Sequence, residues 1–242
     1  MDTQLAKMAK RISFDIRSQI ARSFLPQDCF LCGAASADKF LCDACARELP
    51  TIEAICPQCA MPSPGAHRCG DCLAHPPHFD ATIAAFRYDF PVDRMVQSLK
   101  YGGRLALAAW FAAQLAQRLH TRPHPDLLIA MPLHGSRLKE RGFNQSWEIA
   151  RRIALILACP LDARLARRTR ATAPQVELAP GERARNVRGA FSCDADLDGR
   201  TVAVVDDVMT SGATLNELAR TLKRAGASRV DNWVVARAVT RA

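Results

Sequence analysis

Two adjacent acids, Asp206 and Asp207, follow an apolar run at residues 202–205 and precede a segment of small, hydroxyl-bearing residues that ends at Thr214. The apolar run predicts a buried strand, and the pattern from Leu215 onward predicts a helix. A small-residue loop between a strand and a helix N-terminus offers free N–H groups to an anion such as phosphate. Carboxylates repel phosphate but suit sugar hydroxyls or Mg²⁺. The segment therefore predicts a sugar-phosphate ligand.

Cysteine is the second residue type whose spacing points to chemistry. Eight of the ten cysteines form four Cys-x-x-Cys pairs, and both halves of the segment read Cys-x₂-Cys-x₉-Cys-x₂-Cys. Two pairs complete a tetrahedral zinc site with no open position, so we expect two structural zinc ions. Pairing in sequence order is simplest and gives the sets Cys29, Cys32, Cys42, Cys45 and Cys56, Cys59, Cys69, Cys72. Interleaved pairing, redox pairs and an iron–sulfur cluster are alternatives.

Basic residues are concentrated in the second half of the chain. Residues 133–191 contain twelve Lys and Arg against five Asp and Glu, in a protein of net charge +9. This charge either neutralises a polyanionic small ligand or attracts nucleic acid. In the second case, the candidate contact residues are Arg167, Arg168 and Arg170.

Three segments follow from these patterns. Residues 1–28 have a basic amphipathic helical pattern, which fits a helix on the protein's own body or one that lies on a membrane or DNA. Residues 29–75 form the cysteine-rich region, and residues 79–242 alternate predicted strands and helices. No apolar run reaches the ~18 residues of a membrane span. Because residues 1–25 also lack the apolar core of a signal peptide, we expect a cytoplasmic protein.

A second loop is expected beside the two acids. Residues 126–130 predict a buried strand, and a polar, basic loop at residues 137–145 opens a predicted helix at 146–157. Loops at the carboxyl ends of strands line the ligand site of an α/β sheet. Arginine in such a loop grips phosphate oxygens through a planar fork.

The segment Val202–Thr214 resembles the PRPP-binding motif of type I phosphoribosyltransferases over all thirteen positions. From residue 29 onward, the chain resembles the ComF/GntX family, a double zinc ribbon followed by a phosphoribosyltransferase-like domain. The further motifs that carry this resemblance are Lys100-Tyr101-Gly102-Gly103, Pro132-Leu133-His134, Arg141-Gly142-Phe143-Asn144-Gln145, Thr169-x-x-Thr172-x-x-Gln175, Arg185-Asn186-Val187 and Gly189-Ala190-Phe191. The resemblance implies an α/β fold, a mostly parallel sheet flanked by helices and preceded by a small double zinc ribbon.

The resemblance also implies roles for individual residues. Asp206 and Asp207 would hold the ribose hydroxyls of PRPP, directly or through Mg²⁺, and Arg137 and Arg141 would lie on a flexible loop that closes over the site. The 5′-phosphate would be held by Thr210, Ser211, Gly212, Ala213 and Thr214, and pyrophosphate by Pro132, Leu133 and His134. Pyrophosphate at C1 would be displaced by a base or related acceptor, through a state that needs charge stabilisation and exclusion of water.

Other functions are compatible with the same residues. The family is associated with natural competence and the use of internalised DNA, which implies single-stranded DNA and competence-machinery proteins as partners. The alternatives to catalysis are therefore a competence accessory that binds single-stranded DNA and a regulator that binds PRPP without turning it over.

Overall fold

A computed structural model of the chain describes residues 28–36, 39–171 and 185–239. Contacts divide the chain into two compact units, Met1–Leu49 and Pro50–Ala242. The second cysteine-rich repeat therefore belongs to the same unit as the strands and helices that follow it. Apart from Asp28, the segment 1–28 with its predicted helix lies outside the described residues, as do the motif residues Thr172 and Gln175.

Five strands of the second unit form one sheet, in which every pair of neighbours is parallel. The strands are β1 (Ala81–Arg87), β2 (Leu127–Ala130), β3 (Leu161–Asp162), β6 (Thr201–Met209) and β7 (Arg229–Arg237), in the order β1-β7-β6-β2-β3. Between β3 and β6, two short strands form a separate antiparallel ribbon, β4 (Ala166–Arg168) and β5 (Phe191–Cys193). The mostly parallel sheet predicted from the sequence is confirmed.

The centre of the sheet is the apolar core of the unit. Residues 202–207 of β6 and 232–237 of β7 are buried, as expected for strands that are covered on both faces. Four longer helices each bury one apolar side, as expected for amphipathic helices with a 3.6-residue period. They are α3 (Val92–Tyr101), α4 (Ala106–Leu119), α6 (Gln145–Leu157) and α7 (Ala213–Arg224), with the shorter α5 (Gly135–Arg141) before α6.

The two cysteine-rich repeats fold in the same way. In the first repeat, the N–H of Cys29 donates to the carbonyl of Ala34, and in the second the N–H of Cys56 donates to the carbonyl of Met61. Each repeat then ends in a short helix that starts after its third cysteine, α1 (Asp43–Arg47) and α2 (Gly70–Ala74). The internal repeat seen in the sequence is therefore a structural repeat.

Two elements differ from the sequence-based expectations. The strand predicted over residues 202–205 runs on to Met209, because β7 continues to pair with it beyond Val205, where the pairing with β2 ends. The loop predicted at 137–145 contains helix α5, which begins at Gly135 and ends at Gly142, a residue with φ of 80°. A left-handed residue at this position is a common helix stop.

Candidate functional site

The two adjacent acids lie inside strand β6 and are both buried. Asp206 and Asp207 are 9% and 4% exposed. The Oγ of Ser146 donates to Oδ1 of Asp206 at 2.9 Å, and Nε2 of Gln145 donates to Oδ1 of Asp207 at 3.3 Å. Helix α6 begins with these two donors, so its N-terminus fixes the orientation of both carboxyl groups.

Lys100, at the end of α3, completes this cluster from another part of the chain. Its ammonium forms an ion pair with Oδ2 of Asp207. The lysine side chain is 21% exposed and the Asp207 side chain 5%, so the pair is shielded from water. A shielded carboxylate needs a partner of this kind, because an unpaired buried charge is costly.

Lys100 makes the pKa values of the two acids differ. Burial, together with the charge of Asp207, raises the pKa of Asp206 to about 8. Burial also acts to raise the pKa of Asp207, but the Lys100 ammonium outweighs it and holds this pKa below its ordinary value. At neutral pH the cluster therefore contains one ionised carboxylate, one protonated carboxyl group and one ammonium.

The loop after β6 has the geometry of an anion cradle. Gly212 precedes helix α7 with φ of 79°, a conformation that favours glycine. A Cβ atom at Gly212 would lie 2.7 Å from Cε of Met209, so a side chain there would have to displace that methyl group. The first N–H groups of a twelve-residue helix have no carbonyl partner within the helix and carry its positive dipole end. We refer to residues 210–214 as the phosphate loop.

The segment between β2 and α6 is held in place by two side-chain caps. Nδ1 of His134 accepts from the N–H of Ser136 at 3.3 Å at the start of α5. Oδ1 of Asn144 accepts from the N–H groups of Ser146 and Trp147 at the start of α6, while its Nδ2 donates to the carbonyl of Met131. Through Asn144, the end of β2 determines where α6 begins.

A basic cavity lies beside Lys100. Its volume is about 370 Å³, and Tyr101, Arg137 and Arg141 contribute to its wall. The Arg141 guanidinium lies over the Tyr101 ring, 5.2 Å from the ring centroid, which is a cation–π contact. The cavity therefore offers several positive charges next to the buried acids.

The eight paired cysteines form two clusters, and each takes its four sulfur atoms from consecutive pairs in the sequence. All four sulfurs of a cluster lie within 4.8 Å of one another. The Sγ atoms of Cys32 and Cys42 are 3.8 Å apart, and those of Cys59 and Cys69 are 3.6 Å apart. A tetrahedral ion with Zn–S bonds of about 2.3 Å requires separations near these. The geometry is consistent with two structural zinc ions.

Comparisons with known proteins agree with both parts of the chain. Residues 20–73 match the family described as Double zinc ribbon domain, and residues 143–241 match the Phosphoribosyl transferase domain. DNA utilization protein YhgH of Shigella flexneri is 35% identical over 222 residues, which is 88% of this chain and 98% of the relative. Competence protein F of Haemophilus influenzae is 29% identical, with 82% and 90% of the two chains covered. The chain belongs to the ComF family.

More distant matches add little to this assignment. Competence protein ComFC of Bacillus subtilis is 24% identical over 83% of this chain and 85% of its own. Among solved structures, a purine phosphoribosyltransferase of Pyrococcus horikoshii matches 64% of this chain and 87% of its own at 19% identity. Its TM-score of 0.32 is too low to support an argument.

The predicted arginines of this ComF-family chain have different surroundings. Arg168 lies over the ring of Phe191, and the charges of both Arg137 and Asp206 reach its guanidinium. Arg170 donates to the backbone carbonyls of Asn186 and Arg188. Arg167 is exposed on β4. Arg168 therefore belongs to the surroundings of the acid pair.

Several residues of the site carry no signal of their own in the sequence. Lys100 stands out there only as part of a motif at the end of a helix, and its ion pair joins positions more than a hundred residues apart. Ser146 is indistinguishable from a helix-start residue until the structure places it on Asp206. Arg237, at the end of the last strand, contacts the phosphate loop and has no role predicted from the sequence.

Proposed function

We propose that the protein binds PRPP with Mg²⁺ and transfers its phosphoribosyl group to a nitrogen base or related acceptor, releasing pyrophosphate. The observation that carries this proposal is the arrangement of Val202–Thr214. A central parallel strand delivers two buried acids and then a glycine-dependent loop at a helix N-terminus. One end of this arrangement suits a phosphate and the other suits a diol.

Each group has a role in the proposed reaction. The phosphate loop holds the 5′-phosphate through N–H groups and hydroxyls. Asp207, fixed by Lys100 and Gln145, accepts from ribose hydroxyls, and Asp206 completes the pair. The acceptor nitrogen forms a bond to C1 while the bond from C1 to pyrophosphate breaks, and the acceptor loses its proton. Arg137 and Arg141 balance the charge of the departing pyrophosphate, and the loop of residues 132–134 contacts it.

The acids also fit Mg²⁺, because carboxylate oxygens are ligands that this ion accepts. Lys100 already balances the charge of Asp207, so a metal ion at the pair requires Asp206 to lose its proton. Mg²⁺ bound with PRPP would supply further positive charge to the pyrophosphate. The protein's own contribution is to position the ribose and keep water from C1.

Calorimetric titration of PRPP with Mg²⁺ into the wild type tests the binding step. The double variant Asp206→Asn/Asp207→Asn is expected to lose binding, and Asp194→Asn, an exposed acid outside the site, is expected to keep it. 5′-AMP serves as a second ligand with the same phosphate and ribose. An acceptor screen for released pyrophosphate then separates an enzyme from a regulator that only binds PRPP.

A second candidate function is binding of single-stranded DNA, as in the competence accessory considered from the sequence. It is favoured by a cavity of about 690 Å³ along α7, whose wall contains Arg185, Arg188, Arg220 and Arg224. Two relatives are named for DNA utilization and competence. In this function, Arg167 and Arg170 would extend the same basic surface, and competence-machinery proteins would be partners.

Salt dependence tests the second function. Binding of a single-stranded oligonucleotide should weaken steeply with salt, and Arg185→Ala/Arg188→Ala should reduce the salt slope by about two counterions. No binding at low salt excludes this function without affecting the first.

The cytoplasm remains the proposed location. All ten cysteines are free of disulfides, which fits a reducing compartment. Among the described residues, none of the helices is long and apolar enough to cross a membrane.

A further inference from the structure

Arg237 joins the second cysteine cluster to the phosphate loop. It is the last residue of β7, and only 5% of it is exposed. Its Nε donates to the carbonyl of Cys59 at 2.8 Å. Its Nη1 donates to the carbonyl of Met209 at 3.1 Å and also to that of Thr210. Cys59 belongs to the cluster, and Thr210 is the first residue of the phosphate loop.

Arg237 is also a buried cation. In the part of the chain that the structure describes, no carboxylate forms an ion pair with it. A zinc ion held by four thiolates leaves a net negative centre, because the thiolates outnumber the charge of a divalent ion. The loaded cluster is thus the counter-charge of this buried cation.

The rest of the Cys56–Cys59 turn supports the sheet and the loop from the same side. The carbonyl of Pro57 accepts from the N–H of Thr82 at 3.1 Å, and Nε2 of Gln58 donates to the carbonyl of Phe79 at 3.1 Å. The ring of Phe79 lies 3.9 Å from the position of a Cβ on Gly212. These contacts hold the turn against the start of the sheet, and the hydrogen bonds of Arg237 link the same turn to the phosphate loop.

We infer that Arg237 is a positioning residue that makes the shape of the phosphate loop depend on the metal of the second cluster. With the metal bound, the guanidinium holds the carbonyls of Cys59, Met209 and Thr210 around one centre. Without it, the turn that carries Cys59 is no longer fixed and the cation loses its counter-charge. The loop then becomes mobile, and phosphate affinity falls. The last step rests on the proposed function, whereas the loosening of the loop does not.

The first cluster provides the internal comparison. Its cysteines belong to the other compact unit, whereas the Arg237 guanidinium donates to the carbonyls of Cys59, Met209, Thr210 and Ala238. Loss of the first metal should therefore leave the phosphate loop unchanged.

Cys42→Ser and Cys69→Ser form a matched pair of variants. Both cysteines are partly buried, and each directly precedes the short helix of its repeat. Each variant should lose one of two zinc ions, as measured by elemental analysis. Backbone hydrogen exchange of residues 209–214 should quicken in Cys69→Ser and stay at the wild-type rate in Cys42→Ser. The Kd for PRPP with Mg²⁺ should rise about tenfold in Cys69→Ser, as expected for the loss of a charged hydrogen bond.

A double-mutant cycle separates the proposed coupling from a general loss of packing. Arg237→Gln alone should quicken exchange of the loop, and adding Cys69→Ser should bring little further change, because both act through one contact. Arg237→Lys keeps the positive charge but lacks the planar set of N–H donors of a guanidinium, so hydrogen exchange of the loop should have an intermediate rate. If Cys69→Ser does not fold, removal of zinc with a chelator from Cys42→Ser, which should hold metal at the second cluster alone, gives the same comparison.

Three results would overturn the inference: an unchanged loop in zinc-depleted Cys69→Ser, an equal effect of Cys42→Ser, or additive effects in the cycle. If wild-type protein does not bind PRPP but the exchange pattern is as expected, the proposed function fails and the coupling stands. If PRPP binds equally well to both cysteine variants and the loop is unchanged, the coupling fails and the function stands.

Discussion

The pKa values of Asp206 and Asp207, which are neighbours in β6, are shifted in opposite directions. Asp206 has a folded pKa of about 8 against an ordinary value of 3.8, so the folded protein keeps a proton that the unfolded chain releases. Its contribution to stability is present below about pH 4 and is lost as the pH rises towards 8. Asp207 has a lowered pKa, so its contribution is present above pH 4 and is lost in acid.

Replacing each acid by asparagine should reveal this difference. Asp206→Asn keeps an acceptor for Ser146 and should gain stability relative to wild type between pH 5 and 8, by on the order of 2 kcal/mol. Asp207→Asn leaves the Lys100 ammonium without its partner and should be less stable than wild type throughout this range. Urea unfolding without added Mg²⁺ measures both. If both variants gained stability or both lost it, the opposite pKa shifts of Asp206 and Asp207 would be contradicted.

Gly212 combines a left-handed backbone with a lack of space. Gly212→Ala should cost about 1–3 kcal/mol of unfolding free energy and weaken phosphate binding, because alanine is strained at this φ and its Cβ would have to displace the methyl group of Met209. Gly199→Ala is the matched control, since Gly199 has φ of 74° but a Cβ added to it would have no neighbouring atom within 4 Å. Thermal unfolding should show a larger loss for Gly212→Ala, and equal losses would mean that backbone strain alone decides.

At the scale of elements, the start of helix α6 matters most, because it presents Gln145 and Ser146 to the two acids. Asn144→Ala removes the cap and the bond to Met131, and should cost about 1–2 kcal/mol of stability. Asn144→Asp keeps the cap but not the donor to Met131, so its loss should be smaller. Chemical unfolding ranks the two variants, and equal losses would show that the bond to Met131, which both variants lack, outweighs the cap.

The elements also show what the sequence can predict. Strands β6 and β7 and helices α3, α4, α6 and α7 follow from apolar patterns, because each buries a long regular face. Strand β3 has two residues and β4 has three, too few to show a period. Helix α5 has the sequence of a loop, since its seven residues are mostly polar and none is buried. The acids and the phosphate loop follow from local order, but Lys100 and Arg237 reach them only through the tertiary fold.

At the scale of the whole molecule, the division between Leu49 and Pro50 predicts which shortened chains fold. A chain of residues 50–242 keeps the turn that contacts Thr82, Phe79 and Arg237, and should fold with one zinc ion. A chain of residues 79–242, which starts at the domain boundary predicted from the sequence, lacks that turn. It leaves Arg237 without its Cys59 partner and should unfold at a lower temperature or aggregate.

Circular dichroism and elemental analysis of the two shortened chains measure this difference. Equal stability of the two would show that the second cysteine repeat contributes nothing to the fold of the sheet.

The duplicated cysteine repeat has an evolutionary consequence. The two copies have the same turns and the same four-sulfur geometry, but the second also shares an apolar core with the sheet, where Cys56, Cys59 and Ala60 are buried alongside Met209 and Leu218. Substitutions in the second copy must therefore preserve both a metal site and the packing of the sheet, so we expect it to vary less among relatives than the first copy.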